Sequence, residues 1–147
     1  MADWSEQPYW EDVEEGAPVP EVRFPLTVHR LVVHAGANHD FAPIHHNADV
    51  ARAQGAPDMY VNNVFLLGMW ERAVQEFIGL DGVIRQIGPF RMTRFTVVGQ
   101  TAVVGGSVKR KWRDEAGAGC LELAMRTSVP DGDTVVGGVV VSLPTRA

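Results

Sequence analysis

Apolar residues follow two different rhythms along the 147-residue chain. Between Asn63 and Ile78 they fall at Val64, Phe65, Leu67, Met69, Trp70, Ala73, Val74, Phe77 and Ile78, which predicts one long helix over 63–78. Leu66 and Gly68 fill the other side of its first half, so that half is expected to be buried on every face. The second half exposes Glu71, Arg72, Gln75 and Glu76, and Gly79 ends it. From residue 83 the pattern changes to strands, expected over 83–87, 92–98, 102–112, 120–129 and 135–143. Turns are expected at Gly88-Pro89, Gly99-Gln100, Asp114 to Gly119 and Pro130 to Asp133. The glycine pairs Gly105-Gly106 and Gly137-Gly138 lie inside strands and mark bulges or sharp curvature.

The first half is less regular. Residues 1–20 mix acids with Pro8, Gly16, Pro18 and Pro20, which reads as an irregular acidic lead-in pinned by Trp4, Tyr9 and Trp10. Residues 21–147 then form a single domain. Val22 to Val33 suits a strand followed by either a helical turn or a second strand. Ala35 to His46 reads as a loop, and Asn47 and Gly55 bracket a short helix over 48–54 as N-cap and C′ residue. One buried helix with a meander of long strands makes an α+β antiparallel architecture.

The composition, 46% apolar and 21% charged, is that of a chain with a packed core. The net charge of −5 argues against a nucleic-acid partner. No run suits a membrane span, and the acidic start is unlike a signal peptide, so a cytoplasmic protein is expected. The single cysteine, Cys120, sits at a strand position as a packed thiol. Basic residues gather in the second half (Arg91, Arg94, Lys109, Arg110, Lys111, Arg113), where they could meet a phosphorylated small molecule. Strand alternation puts Lys109 and Lys111 on one face and Arg110 on the other.

All five histidines lie between His29 and His46. Their spacings match no compact ligand motif and no cysteine joins them, so no metal is expected. Asp40 and His45 share a loop braced by Pro43. An aspartate and an imidazole converging on one water are what general acid/base catalysis of hydration needs. The same two residues would serve equally well as a turn cap and a helix start.

Asp40-Phe41-Ala42-Pro43-Ile44-His45 resembles the Asp-x-Asn-Pro-x-His signature of the MaoC-like (R)-specific enoyl-CoA hydratases. The likeness runs from about Tyr9 to Leu143 and includes Glu14-Glu15-Gly16, Ala35-Gly36-Ala37 and the order of helices and strands. More narrowly, His45-His46-Asn47-x-Asp49 and Gln54-Gly55-x-x-Asp58-Met59-Tyr60-Val61-Asn62 are similar to the catalytic subunit of two-subunit bacterial hydratases of steroid side-chain CoA thioesters. Ala42 departs from the signature, which has asparagine there. The resemblance implies a hotdog fold, an antiparallel sheet wrapped round the 63–78 helix, and reversible hydration of an acyl-CoA thioester with Asp40 and His45 as catalytic pair and no cofactor.

By the same resemblance the thioester carbonyl lies near the start of that helix, against backbone amides around Val61, Asn62 and Asn63, with Tyr60 beside it. Arg91 and Lys109 are the candidates for the CoA phosphates, together with Arg94 and Lys111. Phe65, Leu66, Met69, Trp70 and Ile87 could line an acyl tunnel or simply be core, and His46 is not expected to be catalytic. The family packs two hotdogs side by side, which implies a homodimer or a hetero-oligomer with a second hotdog subunit. A hotdog thioesterase using Glu71 and a non-catalytic acyl-CoA-binding subunit are the alternatives.

Overall fold

The alternating half of the sequence becomes one antiparallel sheet. In the computed structural model, which describes residues 6–146, the strands are β1 (Pro18–Pro25), β2 (Val83–Met92), β3 (Thr101–Arg113), β4 (Gly119–Val129) and β5 (Gly132–Leu143). Their order in the sheet is β1-β3-β4-β5-β2, leaving β1 and β2 at the edges. Three helices lie outside the sheet: α1 (Val28–Ala37), α2 (Ala48–Ala53) and α3 (Asn63–Ile78). Among the described residues no helix is long and apolar enough to cross a membrane.

Strand period and helix period meet at the core. On β4, Leu121, Leu123, Met125 and Thr127 are buried, while Ala124 and Arg126 between them are exposed. Leu66, Met69, Trp70, Ala73, Val74 and Ile78 form the buried stripe of α3, and they pack with Val104, Leu121, Leu123, Val139 and Val141 into one cluster. The helix is held at both ends: Asn62 Oδ1 accepts from Phe65 N at 2.8 Å, and Gly79 turns the chain away at φ 73°. Its first half is not enclosed on every face, as the apolar pattern suggested, because Asn63 is exposed and Val64 is 50% exposed.

Trp70 brings a polar atom into this core. Its indole Nε1 donates to Thr127 Oγ1 at 2.7 Å, so the largest core side chain is also satisfied. Behind it, Thr96 Oγ1 donates to Thr134 Oγ1 at 2.8 Å, and both threonines are buried.

Three sequence expectations change. The segment after β1 is a helix, α1, which runs through Ala35-Gly36-Ala37 where a loop was expected; Thr27 caps it and Leu31 and Ala35 are its buried face. Gly88-Pro89 is not a turn between two strands. β2 passes through it, and a register shift against β5 between Ile87 and Phe90 absorbs one extra residue. Proline has no N–H to give a ladder, and an edge strand is where its absence costs least. Thr93 to Gln100 consequently does not extend the sheet; it crosses to the segment before α3, pairing Val97 with Tyr60 and Val61 N with Thr96 O.

Gly106 and Gly137 mark close approach. A Cβ on Gly106 would sit 2.1 Å from Ala124 O, and one on Gly137 would sit 2.5 Å from Pro89 O. β1 takes in Pro18 and Pro20, which the sequence reading left in the lead-in, and its sequence PVPEVRFP puts prolines at three of eight positions. Trp10 pins the lead-in: its backbone N–H donates to Pro144 O and its indole to Cys120 O, with Lys111 and Arg113 over the ring at 4.2 and 4.4 Å. Tyr9 lies under Arg146, and Trp4 falls outside the described residues.

Trp70→Phe should cost about 1–3 kcal/mol, because it leaves a buried hydroxyl at Thr127 short of a partner. Adding Thr127→Val should recover part of that loss. Urea unfolding of the two single variants and the double variant measures the coupling, which should be clearly non-additive.

Candidate active site

The loop between α1 and α2 builds the site. Asn38 caps the C-terminus of α1, and the chain then turns through His39 at φ 59°, a left-handed conformation uncommon outside glycine. The turn brings Asp40 N to Ala35 O at 2.9 Å, fastening Asp40 to the helix it has just left. Pro43 opens a single 3₁₀ turn, Pro43–His45, where its fixed φ and missing N–H suit the first position. Asn47 then caps α2 by accepting from Asp49 N and Val50 N.

This path sets His45 against Asp40, with Nε2 3.2 Å from Oδ2. His45 is 6% exposed, whereas the Asp40 side chain is about one-third open. On its other side the ring meets the segment leading into α3: Nδ1 is 2.8 Å from the Tyr60 carbonyl, and the Tyr60 ring stands edge-on at 5.3 Å. A carbonyl only accepts, so Nδ1 carries the hydrogen. Nε2 therefore faces the carboxylate with a lone pair when the ring is neutral, so the 3.2 Å contact is a hydrogen bond only with a proton held between Nε2 and Oδ2. His46, the next residue, is exposed.

Asn62, the N-cap of α3, lies two residues past Tyr60. Of the amides expected there, around Val61, Asn62 and Asn63, Val61 N is already spent on Thr96 O at 3.1 Å; further along, Phe65 N is spent on the Asn62 cap. The opening-turn amides of Asn63 and Val64 have no acceptor within an α-helix, which makes them the donors available to a negative oxygen. Asn62 itself is 5% exposed, and its Nδ2 donates to Asn38 Oδ1 at 3.1 Å. Asn38 in turn reaches His34 Nδ1 at 2.9 Å, and the His34 ring stacks on Phe65 at 4.3 Å between centroids. His34 and Asn38 were not among the sequence candidates; they face the site together only because α1 places residues four apart on one side.

Asp40, His45, Tyr60, Val61, Asn62 and Asn63 thus come together, whereas Arg91 and Lys109 do not join them. Arg91 follows the inward-packed Phe90 on β2 and so points to the outer face of the sheet. A register shift in β3 between Val108 and Arg110 overrides simple alternation, so Lys109 and Arg110 both reach Glu122, at 2.7 and 3.6 Å. The Lys109 hydrogen bond holds the Glu122 carboxyl below its usual range. Lys111 instead donates to Val13 O, and Arg94 donates to Asp131 O. Leu66, Met69 and Trp70 are core, and Glu71 is exposed on α3. Among the described residues no three His, Cys, Asp or Glu side chains converge as a metal site would require.

Known proteins share this fold. The 3-oxo-4,17-pregnadiene-20-carboxyl-CoA hydratase beta subunit of Mycobacterium tuberculosis is 36% identical over 73 residues, which is 50% of this chain and 57% of that protein. The ChsH1-ChsH2 complex from Mycobacterium tuberculosis contains a chain that superposes with a TM-score of 0.79 at 28% identity, covering 88% of this chain and 98% of that one. The MaoC-like dehydratase from Rhodospirillum rubrum superposes with a TM-score of 0.81 at 15% identity, over 95% of this chain and 99% of that one. This chain has the MaoC-like hotdog fold. No family model matches the sequence. The curated relative is matched over little more than half its length, so the hotdog fold is what the likeness carries to this chain, and activity and partners are taken up below.

Burial pushes the His34 imidazole below its ordinary value of 6.5, so the folded protein takes up a proton there less readily than the unfolded chain. Between the folded value and 6.5 the unfolded state holds more protons, and stability therefore rises with pH through that window and is level above it. His34→Gln should flatten this part of the profile. Melting temperatures of both proteins between about pH 5 and pH 7.5 give the comparison, in the range where histidine titrates.

Proposed function

We propose that this chain is a hydro-lyase that reversibly adds water to a 2-enoyl-CoA thioester. The observation that carries the reading is the Asp40–His45 pair at 3.2 Å, set beside the opening turn of a buried helix. The water oxygen bonds to Cβ of the enoyl group while one member of the pair takes its proton and a proton is delivered to Cα. The two protons balance, so the pair returns to its starting state. Negative charge that builds on the thioester oxygen meets the amides of Asn63 and Val64 and the positive end of α3. The thioester itself acidifies Cα, so the step needs no metal or organic cofactor.

Tyr60 supports this role from behind. Its carbonyl fixes the hydrogen on Nδ1, which leaves Nε2 as the reacting nitrogen. Ala42, in place of the signature asparagine, donates no side-chain hydrogen bond, and its carbonyl accepts His45 N at 3.2 Å. The likeness to a steroid-CoA hydratase subunit supports a large, apolar acyl group. The likeness to a chain of a two-protein complex supports a second hotdog subunit as partner. The exposed β2 edge supports the same view, since an unpaired strand invites pairing. The Arg91 and Lys109 side chains, on the outer face, would then meet CoA phosphates only across such an assembly.

Asp40→Asn and His45→Gln should each lower hydration turnover by at least about a hundredfold, the scale of one acid/base group. The double variant should be scarcely slower than either single one, because the two act as a unit. A panel of enoyl-CoA thioesters of different chain length and ring content, followed at the loss of the conjugated thioester, is the measurement; near-normal turnover by either single variant would overturn the assignment. In solution scattering the purified chain should run as a dimer or larger, alone or with a second hotdog protein. A fully active monomer would contradict the shared-assembly reading.

A further inference from the structure

We propose that His34 is a positioning residue for the Asp40–His45 site, acting through a one-way hydrogen-bond chain that locks the Asp40 loop to the start of α3. The inference rests on the hydration reading above.

The direction of the chain is fixed at its inner end. Phe65 N is a backbone donor, so the Asn62 oxygen must be the atom that accepts from it, at 2.8 Å. Asn62 then has only its amide nitrogen left for Asn38, and that contact, 3.1 Å, ends on Asn38 Oδ1. Asn38 is left with Nδ2, another donor, which faces His34 Nδ1 at 2.9 Å. His34 Nδ1 must therefore accept, which makes His34 the neutral ring with its hydrogen on Nε2. The ring closes the circuit by stacking on Phe65, the residue whose amide began it, at 4.3 Å and 6° between planes.

The residues on this circuit are the ones that anchor the reacting groups. Asn38 is the C-cap of α1, two residues before Asp40. Asn62 is the N-cap of α3, two residues after the Tyr60 carbonyl that holds His45. The circuit thus spans the two elements whose separation sets the Asp40–His45 distance and the aim of the Asn63 and Val64 amides. Asn62 is buried, so an unanswered Nδ2 there would pull the loop out of place rather than find water. A protonated His34 would turn an N–H toward the Asn38 amide and break the circuit at its outer end. The titratable or charged groups that line the His34 pocket are His29 and Arg30 of α1, while β1 and α3 contribute Phe24 and Phe65.

Two variants separate the acceptor from the ring. His34→Phe keeps a ring to stack on Phe65 and removes the acceptor; His34→Gln restores an acceptor oxygen. Assayed with the best thioester of the panel, and with the partner subunit if one is required, His34→Phe should lower kcat about tenfold with KM nearly unchanged, since small misplacements of reacting groups are costly. His34→Gln should recover most of that loss. On the wild-type protein, nitrogen-15 spectra of the histidine rings should show His34 with Nδ1 unprotonated and Nε2 protonated at neutral pH. A His34 ring protonated on Nδ1 overturns the proposal without any variant. So does normal kcat in His34→Phe while Asp40→Asn is inactive, an outcome that leaves the hydration reading standing. Full turnover by Asp40→Asn would instead sink the hydration reading and the positioning role with it.

Discussion

Burial of one stripe of α3 against a curved sheet is the constraint on which the other features depend. Leu66, Met69, Trp70, Val74 and Ile78 are each at most 2% exposed, and a helix so deeply seated cannot leave its ends or its polar atoms to water. The consequences can be followed outward. Trp70 needs Thr127, the first turn needs Asn62, and the last turn needs a glycine in a conformation other residues resist.

The same constraint shapes the candidate site. The start of a helix carries N–H groups that its own turns cannot satisfy, and a cap answers only some of them. Here Asn62 answers Phe65, and the amides of Asn63 and Val64 are left for other acceptors. His45 is tied to the approach to this helix through Tyr60, and Asp40 to the end of the preceding one through Ala35. Two helices and their caps thus define the distance between two side chains on a loop with little regular structure of its own.

The parts legible in the sequence were those whose pattern is local. The bounds of α3 follow from Asn62 and Gly79 with the apolar stripe between them, and α2 from Asn47 and Gly55. The α1 helix was ambiguous because Val28, Val32 and Val33 are β-branched, and these turn out to be on its exposed side, while only Leu31 and Ala35 mark the buried one. Gly88-Pro89 has the composition of a turn, and no local signal shows that a bulge on an edge strand will hold it. At the site, the Asp40 to His45 spacing was legible, and the structure adds its geometry. The His34 and Asn38 contacts were hidden behind the unresolved assignment of α1, and the position of Lys109 behind a one-residue slip in β3.

The β1 edge carries a different consequence. Pro18, Pro20 and Pro25 leave three of the eight positions of β1 without an amide hydrogen, and its pairing with β3 is itself interrupted by a register shift between Val19 and Val22. Strand-by-strand growth of the sheet from that side is thereby starved of donors.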